Sequence, residues 1–159
     1  MKARKVKGVA PGDRFDDAAE RIVRTRLDEL CAFMPQAADP AEDEAQHDMR
    51  IAAKRLRYAL DLTAACFGPY APQARKEVKR LQAVLGEIHD CDVLLERVGD
   101  APQRAPIADA LRARRADAHG RFAALWRELG RDGFRARLEF AAAERPEPPA
   151  FDHDSITSL

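Results

Sequence analysis

Residues 39–67 read DPAEDEAQHDMRIAAKRLRYALDLTAACF. Asp39, Pro40 and Glu42 together are typical of a helix start, since aspartate can cap the helix, proline suits its first turn and an acid suits its positive end. Apolar side chains then recur every three or four residues, at Met49, Ala52, Leu56, Ala59, Leu60 and Phe67. This spacing predicts one long amphipathic helix, which a Gly-Pro pair at 68–69 ends.

The same spacing predicts three further long helices, over 13–34 with Asp13 as the cap, over 71–98 and over 107–129, and a short one over 134–144. The chain contains 31 alanines against 15 residues of Ile, Val and Thr together, which argues against any substantial sheet. Long helices joined by short loops predict an all-α protein, an antiparallel four-helix bundle with a short extra C-terminal helix.

The chain length of 159 residues predicts a single domain. Residues 1–12 form a basic arm, residues 13–144 the helical domain, and residues 145–159 a Pro-rich flexible tail. No apolar run approaches the length needed to cross a bilayer, so no membrane association and a cytoplasmic location are expected. The three cysteines form no CxxC pair and are expected to be buried, reduced thiols.

Positive charge is concentrated in one segment of a chain whose formal net charge is zero. Residues 47–80 contain eight Lys or Arg and three Asp or Glu. The cations form two stripes, His47, Arg50, Lys54 and Arg57 on the second predicted helix, and Lys76, Lys79 and Arg80, bordered by Arg75, on the third. A tight turn makes these helices antiparallel neighbours, so their stripes can merge into a polyanion site. The alternative is that the cations pair with carboxylates on neighbouring turns and solvate ordinary helix faces.

Two motifs resemble those of a known family. HDMRIAAKRLRYAL at 47–60 is similar to the HxxRxxxKRLRYAL signature of the CHAD family, the conserved histidine α-helical domain. LQAVLGEIHDCDVLL at 81–95 is similar to its second motif, LxxLLGxxxDxDVLL. The arm and RIVRTRL at 21–27 resemble the start of one repeat of the family, and the main resemblance covers residues 40–98.

The resemblance implies a helical domain of bacteria and archaea that binds inorganic polyphosphate in a basic groove, in some cases at polyphosphate granules. It implies binding without catalysis, so no enzymatic activity, cofactor or metal is expected. The residues that match the family's cations are His47, Arg50, Lys54, Arg55 and Arg57 in the first motif, Lys76, Lys79 and Arg80 on the third helix, and Arg4, Lys5 and Lys7 in the arm.

The chain departs from the family in length. The family domain usually has two similar four-helix halves, whereas this sequence contains one set of motifs. Two chains are therefore expected to associate as a homodimer that restores the full groove. His119, Arg112 and Arg115 share a face of the fourth predicted helix, which is either a third wall of the groove or a solvated surface.

Two alternative functions remain open. Nucleic acid is a second dense polyanion, but aromatic residues make up 6% of the chain and Tyr58 alone lies in the stripes, which disfavours base stacking. His47, His89, Asp90 and Asp109 imitate the ligand set of an HD-like metal phosphohydrolase, although such short matches are common by chance.

Arg26 and Asp92 each interrupt an apolar stripe. A buried charge without a partner costs several kcal/mol. Each is expected to find a partner inside the bundle, with a pair between the two as one option.

Overall fold

The structure is a computed structural model that describes residues 2–99 and 101–144, and within them it is all-helical. The five α-helices are α1 (Phe15–Cys31), α2 (Asp43–Thr63), α3 (Ala71–Val98), α4 (Ala105–Arg131) and α5 (Phe134–Ala143). Short 3-10 turns lie at Gln36–Ala38, Ala64–Cys66 and Pro102–Arg104. The predicted all-α fold is confirmed, and the predicted tail at 145–159 lies outside the described residues.

The predicted start of α2 was three residues too early, and its predicted end was four residues too late. Asp39 does not cap α2, because the turn that its carboxylate closes with the Ala41 amide (2.9 Å) does not continue into the helix, which begins only at Asp43. At the other end the chain tightens into a 3-10 turn after Thr63, whose hydroxyl donates to the Ala59 carbonyl (2.7 Å). Local hydrogen bonds of this kind compete with continuation of a helix.

The start and end of α1 also differ from the prediction. Asp13 does not cap α1, because its carboxylate accepts hydrogen bonds from the Ala10 amide and from Arg21. The helix ends at Cys31, three residues before the predicted Met34.

The helices pack around one apolar core. α2 packs between α1 and α3, α3 packs between α2 and α4, and α5 contacts α1, α3 and α4. The largest fully buried apolar side chains come from all five helices: Leu27, Leu30, Met49, Leu56, Leu60, Leu81, Leu85, Ile88, Phe122 and Leu138. Each such residue contributes about 1.5–3 kcal/mol by leaving water. This core fixes α2 against α3, on which the candidate site lies.

A buried carboxylate joins the arm to α1 and α2. Glu29 is 1% exposed and accepts hydrogen bonds from Arg26 (2.9 Å), from Arg55 (2.7 Å) and from the Arg4 amide (3.2 Å). The prediction that Arg26 has an internal partner is therefore confirmed. The same holds for Asp92, which pairs with Arg115 of α4.

The suggested pair between Arg26 and Asp92 was wrong. Glu29 lies one helical turn from Arg26 on α1, and Arg115 lies on the helix packed beside Asp92, so each charge has a nearer partner.

The cysteines are free thiols within the described residues. Cys91 is buried, whereas Cys31 and Cys66 are half-buried, so the expectation of full burial was wrong for those two. Burial raises the pKa of the Cys31 and Cys91 thiols, which favours their protonated, unreactive form.

Replacing Glu29 by glutamine is expected to lower the free energy of unfolding by about 2–3 kcal/mol, because Arg26 and Arg55 would lose a shared buried carboxylate. The expected loss is below that for a fully buried pair, since these two side chains are 16% and 25% exposed. Urea denaturation followed by circular dichroism measures it. Glu20→Gln is the control, because it removes a more exposed i,i+4 pair with Arg24 and should cost about 0.5 kcal/mol or less. Equal losses in the two variants would contradict the role given to Glu29.

Candidate anion-binding site

One edge of α2 meets one edge of α3 along a line that we call the seam. From α2 the seam takes His47, Arg50, Lys54, Arg57 and Asp61, and from α3 it takes Arg75, Lys79, Gln82, Gly86 and His89. Both sets repeat every three or four residues, which places each on one side of its helix. Contacts across the seam run in antiparallel order: His47 with His89, Arg50 with Gly86, Arg57 with Gln82, and Asp61 with Arg75.

Arg50 crosses the seam over a glycine. A Cβ atom added to Gly86 would lie 3.7 Å from Arg50 Nε, an ordinary van der Waals distance, so the Arg50 guanidinium packs directly beside this glycine. Arg50 Nε is buried and has no hydrogen-bond partner among the described residues. A buried donor without a partner is costly, and Arg50 as a whole is only half-buried, so a movement of its guanidinium toward a ligand acceptor is favourable.

Two exposed lysines, Lys54 and Lys79, follow Arg50 along the seam in the direction of Asp61. Lys54 and Lys79 form no ion pair with a carboxylate of the described chain. The Lys54 ammonium lies 5.7 Å from the centroid of the Tyr58 ring, and the Arg57 guanidinium lies 4.4 Å from the same centroid. The ring keeps both cations close to the seam by cation–π attraction.

Arg57 is oriented and partly neutralised by neighbours. Its Nε donates to Gln82 across the seam (2.8 Å), and its Nη1 donates to Asp61 one turn further along α2 (3.1 Å). Asp61 also accepts from Arg75, so one carboxylate joins an arginine of α2 to an arginine of α3. The seam therefore carries a negative group at this end.

The predicted stripe on α3 divides between two surfaces. Lys79 lies in the seam, and Lys76 is exposed at its margin. Arg80 lies toward α4, where it contacts Glu77 (2.6 Å) and Glu128 (3.2 Å). The hydrogen bonds that its guanidinium donates to Glu77 and to Glu128 raise the pKa of Arg80, the one to Glu77 most.

The other predicted cations are not brought to the seam. Arg55 points toward α1 and contacts buried Glu29. Arg4 of the arm is held to α1 through its amide, and its side chain donates to the Asp28 carbonyl (3.5 Å). Lys5 and Lys7 are exposed in the same arm.

The histidine contact was missed in the sequence. The Nδ1 atoms of His47 and His89 lie 3.2 Å apart, so one donates a hydrogen bond and the other accepts it. The centroids of the two rings are 4.6 Å apart. In the sequence His89 was grouped with His47 only in the HD-like ligand set, and not with the edge of α3 that faces α2. The signal that could have found it is the spacing of residues 75, 79, 82, 86 and 89, read against an antiparallel α2.

A cleft of about 420 Å³ lies beyond the histidine pair. Its acidic lining residues are Asp43, Glu44, Asp92 and Glu96, and its apolar ones are Leu85, Ile88 and Val93. The cleft therefore has the opposite charge to the centre of the seam. Within the described residues, no group of three or more His, Cys, Asp or Glu side chains is arranged to hold a metal ion.

The predicted face of His119, Arg112 and Arg115 is neither a third wall of the groove nor a solvated surface as a whole. His119 is 8% exposed, and its Nε2 lies 3.4 Å from the Ala37 carbonyl, so it belongs to the interior. Arg115 braces α4 against α2 and α3 through Gln46 and Asp92. Arg112 alone of the three lies on a solvated face.

Fold and seam together define an all-helical protein with a basic surface along one pair of antiparallel helices. The family model described as CHAD domain matches residues 3–99, and the chain belongs to this family. CHAD domains are associated, at the level of the family, with binding of polyphosphate and triphosphate. No curated protein and no solved structure shows a significant match to the chain. None of the helices in the described ranges is long and apolar enough to cross a membrane.

Replacing Gly86 by alanine is expected to raise the free energy of unfolding by about 0.5–1 kcal/mol, because alanine favours a helix and the new methyl group makes only an ordinary contact with Arg50. Thermal or urea denaturation measures the change. Gly120→Ala is the matched control, since that α4 glycine has open space around its Cβ position. If Gly86→Ala were less stable than the wild type while Gly120→Ala were more stable, α2 and α3 would lie closer together than they do in this structure.

Proposed function

We propose that the protein binds inorganic polyphosphate along the seam and does not transform it. The observation that carries the proposal is Arg50 Nε, a buried cationic donor without a partner in the described chain, followed along the seam by two exposed lysines that lack ion pairs. Phosphate oxygens are suited to this arrangement, because a guanidinium binds them with directed hydrogen bonds and an ammonium attracts them as a mobile charge.

The length of the basic surface supports an extended ligand. Residues 47–57 of α2 span about 15 Å along the helix axis. Neighbouring stripe positions are about 5–6 Å apart, comparable with the few-ångström repeat of a phosphoanhydride chain. One flexible chain can therefore contact Arg50, Lys54 and Lys79 in turn, with His47 as a further hydrogen-bonding group.

The proposal gives the eleven predicted cations and donors different roles. Arg50, Lys54, Arg57 and Lys79 hold the chain, and Lys76 adds charge at the margin. Arg55 and Arg80 act in the structure, because carboxylates of the protein already hold them. Arg4, Lys5 and Lys7 of the arm are outside this surface.

Affinity should come from many weak contacts. Each exposed contact contributes about 1 kcal/mol or less, and neutralising several phosphates makes binding fall steeply with salt. Nucleic acid would share this salt dependence, so competition between polyphosphate and DNA decides between the two ligands.

Reversing the charge of two exposed lysines, Lys54→Glu with Lys79→Glu, is expected to abolish retention on a polyphosphate matrix at moderate salt. The double variant places two carboxylates in the seam while leaving the buried core unchanged. Retention is measured as the salt concentration at elution, and helicity by circular dichroism.

The control for this test is Arg112→Glu with Arg131→Glu, which makes the same change in net charge on exposed positions of α4. The control should remain bound at nearly the wild-type salt concentration. Equal loss in both variants would mean that net charge alone controls retention, and the seam would be excluded. DNA that displaces the wild type better than polyphosphate would favour the nucleic-acid function.

We also propose that two copies associate, so that a chain with one set of motifs forms a full-length groove. Such a dimer is suited to recruitment to polyphosphate granules, because two linked seams bind one polymer with greater avidity.

Light scattering after gel filtration is expected to give twice the chain mass of 17.7 kDa. The measurement is made with and without polyphosphate, since a polymer can itself bring two copies together. A monomer mass under both conditions would exclude the dimer while leaving the polyphosphate seam intact.

A further inference from the structure

Among the ten described residues that define the seam, Asp61 alone is negatively charged. Its side chain is 25% exposed, and its two oxygens contact different arginines. Oδ2 accepts from Arg57 Nη1 (3.1 Å), and Oδ1 accepts from Arg75 Nε across the seam. A carboxylate placed in this way makes the contacts that a phosphate group would make with the same two guanidinium groups.

We propose that Asp61 is an internal competitor for the ligand and thereby a specificity-determining residue of the seam. The inference rests on the proposed function. In the free protein the Asp61 carboxylate occupies Arg57 and Arg75, and a phosphate chain displaces it from both.

Arg57 is held ready for this exchange by contacts that do not involve Asp61. Its Nε donates to Gln82, and its guanidinium lies over the Tyr58 ring. Loss of the Asp61 contact therefore leaves Arg57 in place, with the Nη1 hydrogen free for a phosphate oxygen. Arg75 is 44% exposed and can turn toward the ligand without disturbing the core.

The exchange favours long ligands over short ones. A small anion that reaches this end must break two ion pairs to gain contacts of similar number. A polymer already bound at Arg50, Lys54 and Lys79 presents its next phosphates to Asp61 at high effective concentration. The carboxylate therefore raises the number of phosphates needed for stable binding.

The test is calorimetric titration of wild type and Asp61→Asn with tripolyphosphate and with a long polyphosphate. Tripolyphosphate is expected to bind Asp61→Asn about tenfold more tightly, which corresponds to roughly 1.4 kcal/mol. The gain for long polyphosphate should be smaller, because the polymer already displaces the wild-type carboxylate. Asp61→Ala, which also removes the amide oxygen, should reproduce the result, and circular dichroism verifies that both variants fold.

Asp109→Asn is the matched control, since it removes the same charge from an exposed position on α4 that pairs with Arg112. Equal tightening in Asp61→Asn and Asp109→Asn would overturn the inference in favour of a net-charge effect. Weaker binding by Asp61→Asn would overturn it by making Asp61 a group that positions Arg57 and Arg75 for the ligand. Absence of polyphosphate binding by wild type would instead refute the proposed function.

Discussion

The placement of a few carboxylates decides which cations support the fold and which remain available. Glu29 is buried beneath α1 and α2 and accepts hydrogen bonds from Arg26 and Arg55, so both arginines are committed to the structure. On the edge of α2 that faces α3, no carboxylate of the described chain is paired with Arg50 or Lys54. Arg50 and Arg55, five residues apart on α2, therefore have different roles, because Arg55 meets a buried carboxylate and Arg50 does not.

Close packing between α2 and α3 gives the available cations their arrangement. Arg50 of α2 packs beside Gly86 of α3. The His47–His89 contact joins the same two helices one turn away. Acidic groups border the basic surface at both ends, Asp61 on one side and the cleft beyond His89 on the other. The surface is consequently of limited length, although both helices continue past it.

Helical periodicity was sufficient to predict the fold and half of the site. Apolar spacing predicted each long helix, and the prediction of a stripe through Arg50 and Arg57 matches the edge that α2 turns toward α3. Lys79 and Arg80 were predicted in one stripe although their side chains diverge by about 100° around α3, and only the neighbouring helices show which of the two meets an acid. The start of α2 was also misjudged. The Asp39 carboxylate accepts a hydrogen bond from the Ala41 amide and closes a turn that lies before the helix.

A neutral protein with one basic seam attracts ligands differently from a uniformly cationic one. With a formal net charge of zero, attraction at distances beyond a Debye length of about 8 Å is weak, so a ligand must come close before the seam acts on it. Under the proposed function, a chain with closely spaced charges would engage Arg50, Lys54 and Lys79 together. A monovalent anion would gain one contact and would meet the repulsion of the acidic cleft or of Asp61. This distribution of charge would therefore favour charge density along a line, the property that distinguishes a phosphate polymer from small anions.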